Sequence, residues 1–423
     1  MASERLDHHP GLLHRLRKVG HLRLLTQRRF GLYTLGNGIS LTGSWMQRIA
    51  LIWLVWEMTG SGFWLGMLAT ADMLPILVVG PLAGAVADRK DRLKLTRLCQ
   101  YVLAGIAALL GILLFFDLLN LPVLMALAAA NGSMIALSQP ARMALVQSLV
   151  SREDVGSAVA LSSVNINLAR LTGPAIAGIM IVHFDVELIF LANALLTICF
   201  VALLGLIQID PLPVRQPEGS VFTQIRSGVI FAFGDRGIRL LLLLLFLGGA
   251  GVRSVQELFP AFAENNFASA ATGLAFLTSS MAVGAIAAGL TFGVDTSLNR
   301  LVRKVATSWA LGAAALAALV ASGSAMLDTA LALIIGFFVT RSVIGTQTFV
   351  QLRAPDSMRG RTLSVHGLIS RGSPALGALG TGWAFDHVGL TLPVLFATGL
   401  VLLAVIAGIP AMRALGNLEP GDG

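Results

Sequence analysis

Five arginines stand where arginine is costly. Arg48, Arg170, Arg253, Arg341 and Arg371 each fall inside a long apolar stretch, with only Asp72 and Glu257 as acidic company. An unpaired charge at mid-bilayer costs about 2.5–3.5 kcal/mol on insertion scales, so such residues should face a water-filled chamber or a partner. Five arginines against two acids leave an excess of positive charge. Guanidinium groups grip carboxylates and phosphates through paired hydrogen bonds, so the chamber they imply would suit a small molecule with acidic or catechol groups. Helical spacing gives each arginine polar neighbours. Asn37, Ser40, Ser44 and Arg48 form one stripe, Ser163, Asn167 and Arg170 a second, and Ser364, Gly367 and Arg371 a third. Arg253 and Glu257 are i, i+4 neighbours, spaced to pair on an α-helix.

The two acids suggest a second chemistry. A proton-coupled device needs a group that changes charge within the membrane. Asp72 lies about 15 Å into its helix by the rise per residue, Glu257 is shallower, and His366 is a further titratable group. Trp45 sits near Arg48 in sequence, whereas Trp56 and Trp64 flank a short loop and read as interface anchors.

The elements that must position these residues follow from composition. Of 423 residues, 56% are hydrophobic and only 12% charged, with a mean hydropathy of +0.80. Soluble domains carry about 25% charged residues, so this chain has too little polar surface to wrap a water-soluble body. Cys99 and Cys199 both fall in apolar segments and offer no metal set. No Gly-rich phosphate loop ending in Gly-Lys-Ser/Thr occurs, nor a His-Glu-x-x-His helix or a nucleophile elbow. The expectation is therefore no enzyme, no metal and no cofactor.

Spanning helices need about 20 mostly apolar residues, and roughly twelve stretches satisfy that ruler. They are centred near Leu41, Leu74, Ala107, Ala136, Leu171 and Thr197, then near Gly249, Met281, Gly312, Thr340, Pro374 and Val401. The fold class expected is an all-α membrane protein of twelve transmembrane helices in two pseudo-symmetric six-helix bundles. All Lys and Arg residues outside the five in the spans lie in the N-terminal segment, the C-terminus and every second connection. The intervening loops carry Glu57, Asp117, Asp185, Glu187, Glu264, Asp328 and Asp386 instead. By the positive-inside rule both termini and the central linker are cytoplasmic. The net charge of +8 thus belongs to membrane topology, with no nucleic-acid partner implied.

The expected organisation is a basic N-terminal segment over 1–29, a six-helix bundle over 30–209, a linker over 210–236, a second bundle over 237–413 and a tail over 414–423. The N-terminal segment has no long apolar core and reads as an amphipathic helix on an anionic surface. The halves echo each other. Gly84 to Asp88 closes the second span as Thr291 to Asp295 closes the eighth, and Arg170-Leu-Thr-Gly-Pro174 in the fifth parallels Arg371-Gly-Ser-Pro374 in the eleventh. Repeated halves with polar groups near the midplane are the architecture of secondary transporters.

Gly80 to Lys94 resembles the signature of the major facilitator superfamily between its second and third helices: Gly84, Asp88, Arg89, Arg92 and Lys94 match, while Asp91 replaces the usual glycine. Gly43 to Gln47, Thr59 to Ser61, Ser138 to Arg142, Ala169 to Pro174 and Pro355 to Arg361 resemble the drug- and siderophore-exporter branch, which includes enterobactin exporters and macrolide-efflux proteins. The resemblance covers residues 30 to 413. It implies that Gly84, Asp88, Arg89 and Arg92 form a gate, Asp88 holding the start of the eleventh helix near Asp356 to Arg361. Gly173-Pro174-Ala-Ile-Ala177-Gly178 resembles the exporters' fifth-helix motif with one glycine replaced, implying a kink at Gly173 and Pro174 that favours proton antiport. Physically, proline kinks a helix and small residues let neighbours approach.

The substrate-binding candidates are Arg48, Arg170, Arg253, Arg341, Arg371, Asn37 and Asn167, and the proton-coupling candidates are Asp72 and Glu257. The function expected is proton-coupled export, by a monomer in the bacterial inner membrane, of an anionic molecule such as a siderophore or organic acid. The alternatives are efflux of lipophilic drugs or macrolides, and a membrane scaffold or sensor that moves nothing.

Overall fold

The computed structural model describes residues 22–89, 91–208, 221–293 and 297–416 of the chain. The first half comprises α1 (Arg28–Thr59), α2 (Gly62–Arg89), α3 (Arg92–Phe115), α4 (Leu121–Ser148), α5 (Val155–His183) and α6 (Glu187–Gly205). A shorter helix, α7 (Val221–Gly234), occupies the described part of the linker. The second half opens with α8 (Arg236–Gly251), which a 3-10 turn at Arg253–Leu258 joins to α9 (Phe259–Asn266) as one interrupted rod. Then come α10 (Ala270–Thr291), α11 (Leu298–Val320), α12 (Ala325–Arg353), α13 (Asp356–Val388) and α14 (Thr391–Gly416). Among the described residues there is no strand.

Local chemistry sets the ends of these rods. Asn120 accepts the Val123 amide at 3.1 Å to start α4, and Asp235 accepts from Gly237 and Ile238 at 2.9 and 2.8 Å to start α8. Each satisfies amides that a first helical turn leaves orphaned. Gly60, at φ 56°, ends α1 in the left-handed conformation that glycine adopts without a Cβ penalty.

Nine helices among the described residues are long and apolar enough to cross a membrane. The rods centred on α1, α11 and α13 fall short of that measure; α1 and α13 carry the polar stripes ending at Arg48 and Arg371. A rod lining a polar chamber should be the less apolar kind.

The repeat seen in the sequence is matched in the packing. In the first half α2 packs on α4, α3 on α6, and α1 on both α5 and α6. The second half repeats the scheme: α10 packs on α12, α11 on α14, and α8 on both α13 and α14. Glycine sits at equivalent seams, Gly132 of α4 against the Asp72 backbone and Gly336 of α12 against the Met281 backbone. Across the halves, α2 meets α13 and α5 meets α10. Gly62 and Gly66 lie against Gly382 and Leu379, and Gly178 lies against Ala275. These three glycine contacts between the halves fall toward the end of the molecule that carries the acidic loops.

Candidate functional site

The interrupted rod α8–α9 builds the centre. Gly248, Gly249 and Gly251 let it press against Trp309, Ser373 and Ala397. Beyond them the chain winds into the 3-10 turn that carries Arg253 and Glu257. Arg253 donates from Nη1 to the Ser370 carbonyl of α13 at 2.7 Å. Glu257 is not its hydrogen-bonded partner, which corrects the i, i+4 pairing expected from spacing. A 3-10 helix has three residues per turn, so i and i+3 eclipse while i+4 turns aside.

Glu257 instead reaches across to the first half. Arg48 of α1 donates from Nη2 to its Oε2 at 2.7 Å and from Nη1 to Asp72 Oδ2 of α2. One guanidinium fork thus ties three helices and both halves, the geometry its planar donors suit. All three side chains are about four-fifths buried, with exposures of 21%, 23% and 16%. Asp72 Oδ1 is buried without a hydrogen-bond partner among the described residues.

Beside this triad lies a cavity of about 210 Å³ lined by Arg170, Arg253 and Arg371, together with Gln256, Thr278 and Ser370. No carboxylate is among its lining residues. The buried Thr278 hydroxyl has no partner among the described residues. Arg170 also stacks over Trp45, its guanidinium carbon 5.1 Å from the ring centre. Three guanidinium groups around one small space, with neutral donors beside them, have the hydrogen-bonding chemistry that suits an anion.

The remaining sequence candidates are distributed more widely. Arg341 lies over Phe337 at 5.9 Å, next to the lining residue Thr340. Asn37 is buried and accepts from Arg142 of α4, inside the first half. Asn167 donates to its own helix at Ser163 O, 2.9 Å away. Ser40 is buried 3.5 Å from Thr197 of α6, and His366 is buried as well. Gly173 packs against Thr42, Trp45 and Met46 of α1, and α5 continues through the buried Pro174. Among the gate candidates, Arg92 donates to Ser148 at 3.3 Å. The side chains at Gly84, Asp88 and Arg89 lie outside the described residues, as does the repeat residue Asp295. Asp91 accepts from Leu93 and Lys94 at 2.9 and 3.0 Å, so the acid at the glycine position of the signature caps α3.

One residue that joins the halves reads in the sequence only as a loop acid. Asp386, near the end of α13, accepts from the Ser61 hydroxyl at 2.5 Å and from the Gly62 and Phe63 amides at 2.7 and 3.1 Å. It therefore caps the start of α2 from the opposite half, where a carboxylate also complements the positive end of the helix dipole. Trp56 and Phe385 meet beside it, 6.0 Å between ring centres. The signal available in sequence was Thr59-Gly-Ser61, a helix start awaiting an acceptor.

Residues 20–418 match the family described as transmembrane secretion effector. The staphyloferrin A transporter of Staphylococcus aureus is 26% identical over 82% of this chain and 87% of its own length. Macrolide efflux protein A of Streptococcus pyogenes is 22% identical over 91% and 96%. The multidrug efflux pump Tap of Mycobacterium tuberculosis is 27% identical over 91% and 92%. Among solved structures, a bacterial homologue of the human lysosomal transporter Spinster, inward-facing and unoccupied, superposes with a TM-score of 0.69 at 13% identity, covering 94% of this chain and 99% of that one; the likeness shows the fold. A polytopic helical chain with two repeated halves meeting at a buried polar centre, matched over nearly its whole length, belongs to the transmembrane secretion effectors of the major facilitator superfamily, in the drug- and siderophore-exporter branch, and is a membrane transporter.

Proposed function

We propose that the chain exports a small organic anion across the bacterial inner membrane by alternating access, driven by protons, with both termini in the cytoplasm. The observation that carries the proposal is the cavity lined by Arg170, Arg253 and Arg371 without a carboxylate. Guanidinium groups held in a low-dielectric pocket recruit carboxylates or catecholates by bidentate hydrogen bonds. The staphyloferrin A transporter among the relatives supports a cargo of the siderophore class.

The Arg48 triad is the coupling element in this scheme. Arg48 holds Glu257 and Asp72 while the halves are joined at the acidic-loop end. Protonation of either acid removes one arm of the fork and loosens that end, opening the chamber for the anion to leave as the proton enters. Substrate release and proton entry are thereby linked at one residue. The basic end presents Ser163, Ser364 and Arg371 as exposed side chains, a route from the cytoplasm to the cavity. At that end the superfamily signature at Asp88 to Arg92 would serve as the reciprocal latch.

The test is flux in inside-out proteoliposomes holding the full chain, with an acid-inside or absent pH gradient and labelled staphyloferrin A as probe. Gradient-dependent uptake above empty vesicles is the expected result; equal flux without a gradient rejects the coupling. A second reading, efflux of lipophilic drugs, is favoured by the rings of Trp45 and Phe337 at the arginines. Resistance to macrolides on overexpression, with no flux of the acidic probe, would select it.

A further inference from the structure

A second and larger space lies outside the central cavity. It is a groove of about 940 Å³ whose floor is α1, with α5 and α6 as walls. Leu35, Ile39 and Met46 line the floor, Leu168 and Ile176 one wall, and Leu196 the other. At 100° per residue, Leu168, Thr172 and Ile176 occupy a face of α5 turned well away from Arg170. The seam between groove and cavity is closed, because Asn165 meets Gly38 and Gly173 meets Thr42 and Trp45. The groove therefore opens toward the surrounding membrane, not into the transport chamber. Leu35 and Leu168 are 58% and 51% exposed within it.

Its mouth carries charge. Arg28 lines the groove at the start of α1, and exposed Arg29 follows it. Neither has a carboxylate partner among the described residues, whereas nearby Arg23 is held by Asp154 at 3.2 Å. From Arg28 to Met46 the floor extends about 27 Å at the helical rise, longer than one leaflet of a hydrocarbon core about 30 Å thick. The mouth is on the basic end of the molecule, where anionic headgroups concentrate. A single chain molecule with an anion at one end and a long apolar tail fits both parts.

We propose that this groove is a binding site for an anionic phospholipid of the leaflet at the basic end. Its phosphate is held by Arg28, and one acyl chain lies along α1 between α5 and α6. A bound chain there would brace the joint between α1 and α5, the two helices that carry Arg48 and Arg170.

Purified full-length protein should be titrated with dioleoyl phosphatidylglycerol or dioleoyl phosphatidylcholine and read by native mass spectrometry and thermal unfolding. Wild type is expected to bind one phosphatidylglycerol at least tenfold more tightly than phosphatidylcholine and to unfold at higher temperature with it. Arg28→Gln should abolish that preference while leaving weak binding of both lipids. Ile39→Trp, which fills the floor, should remove both; Thr172→Phe on the opposite wall repeats the test if the first variant folds poorly. Equal affinity for the two lipids in wild type would overturn the proposal. So would undiminished phosphatidylglycerol binding in both groove-filled variants, or a wild-type dimer whose cross-links run through Leu35 and Leu168.

Discussion

Arg48 Nη2 and Glu257 Oε2 lie 2.7 Å apart, and they belong to opposite halves of the molecule. With Asp72 on the other arm of the same guanidinium, the pair fastens the first rod of each half. Replacing Glu257 by Gln removes the charge and keeps the shape. Buried pairs cost about 3–5 kcal/mol when one partner is removed, enough to move a two-state equilibrium between the halves. Spin labels at Glu57→Cys and Glu264→Cys, in a Cys99→Ser, Cys199→Ser background, should report a longer distance in the Glu257→Gln variant than without it. An unchanged distance would mean the pair does not hold the halves.

Asp386 provides a second fastening, at the acidic-loop end. Its carboxylate adds to the cap that Ser61 Oγ gives the Trp64 amide at 3.4 Å, and a lost cap costs about 1 kcal/mol. Asp386→Ala should therefore raise the rate at which a membrane-impermeant maleimide labels Phe63→Cys by about fivefold, the factor corresponding to that energy. Asp386→Asn, which still accepts hydrogen bonds, should fall between the two.

Gly178 and Ala275 touch where α5 crosses α10. A Leu at position 178 has no room in the joined arrangement, and overpacking costs about 1–3 kcal/mol. Gly178→Leu should reach the membrane in normal amount, yet lose most transport because this contact can no longer close. Full activity in that variant would show the seam to be compliant.

Trp45 is stacked beneath Arg170. Such a contact contributes about 1 kcal/mol at a partly shielded site. Trp45→Ala should raise KM for an anionic substrate about fivefold with little change in kcat, since the ring fixes the arginine and takes no part in the movement. A fall in kcat at constant KM would place Trp45 in the gating motion instead.

The sequence made the rods and the buried arginines visible for one reason. In an apolar stretch a charge is conspicuous, and the alternation of basic and acidic loops leaves little freedom in threading. Partnerships were harder to see. The pairing of Arg253 with Glu257 assumed a regular α-helix, and the 3-10 turn at Arg253–Leu258 rotates them apart. Arg48 and Glu257 are 209 positions apart, so only the packing of the two halves could join them. The same holds for Asp386 and Ser61. Asn37 illustrates a different limit: it shares a stripe with Arg48, but Arg142 of α4 engages it within the first half. The helix Val221–Gly234 in the linker is too short to register on a spanning ruler; it rests on α13, where Arg361 donates to Ser227 at 3.0 Å.

Charge selectivity is where the central proposal is most exposed. Flux of labelled staphyloferrin A and of an uncharged macrolide should be compared in proteoliposomes of wild type, Arg170→Gln, Arg253→Gln and Arg371→Gln. A cavity that works through its guanidinium groups predicts loss of anion flux by tenfold or more in each variant, with macrolide flux unchanged or increased. Anion flux that survives all three substitutions would contradict it.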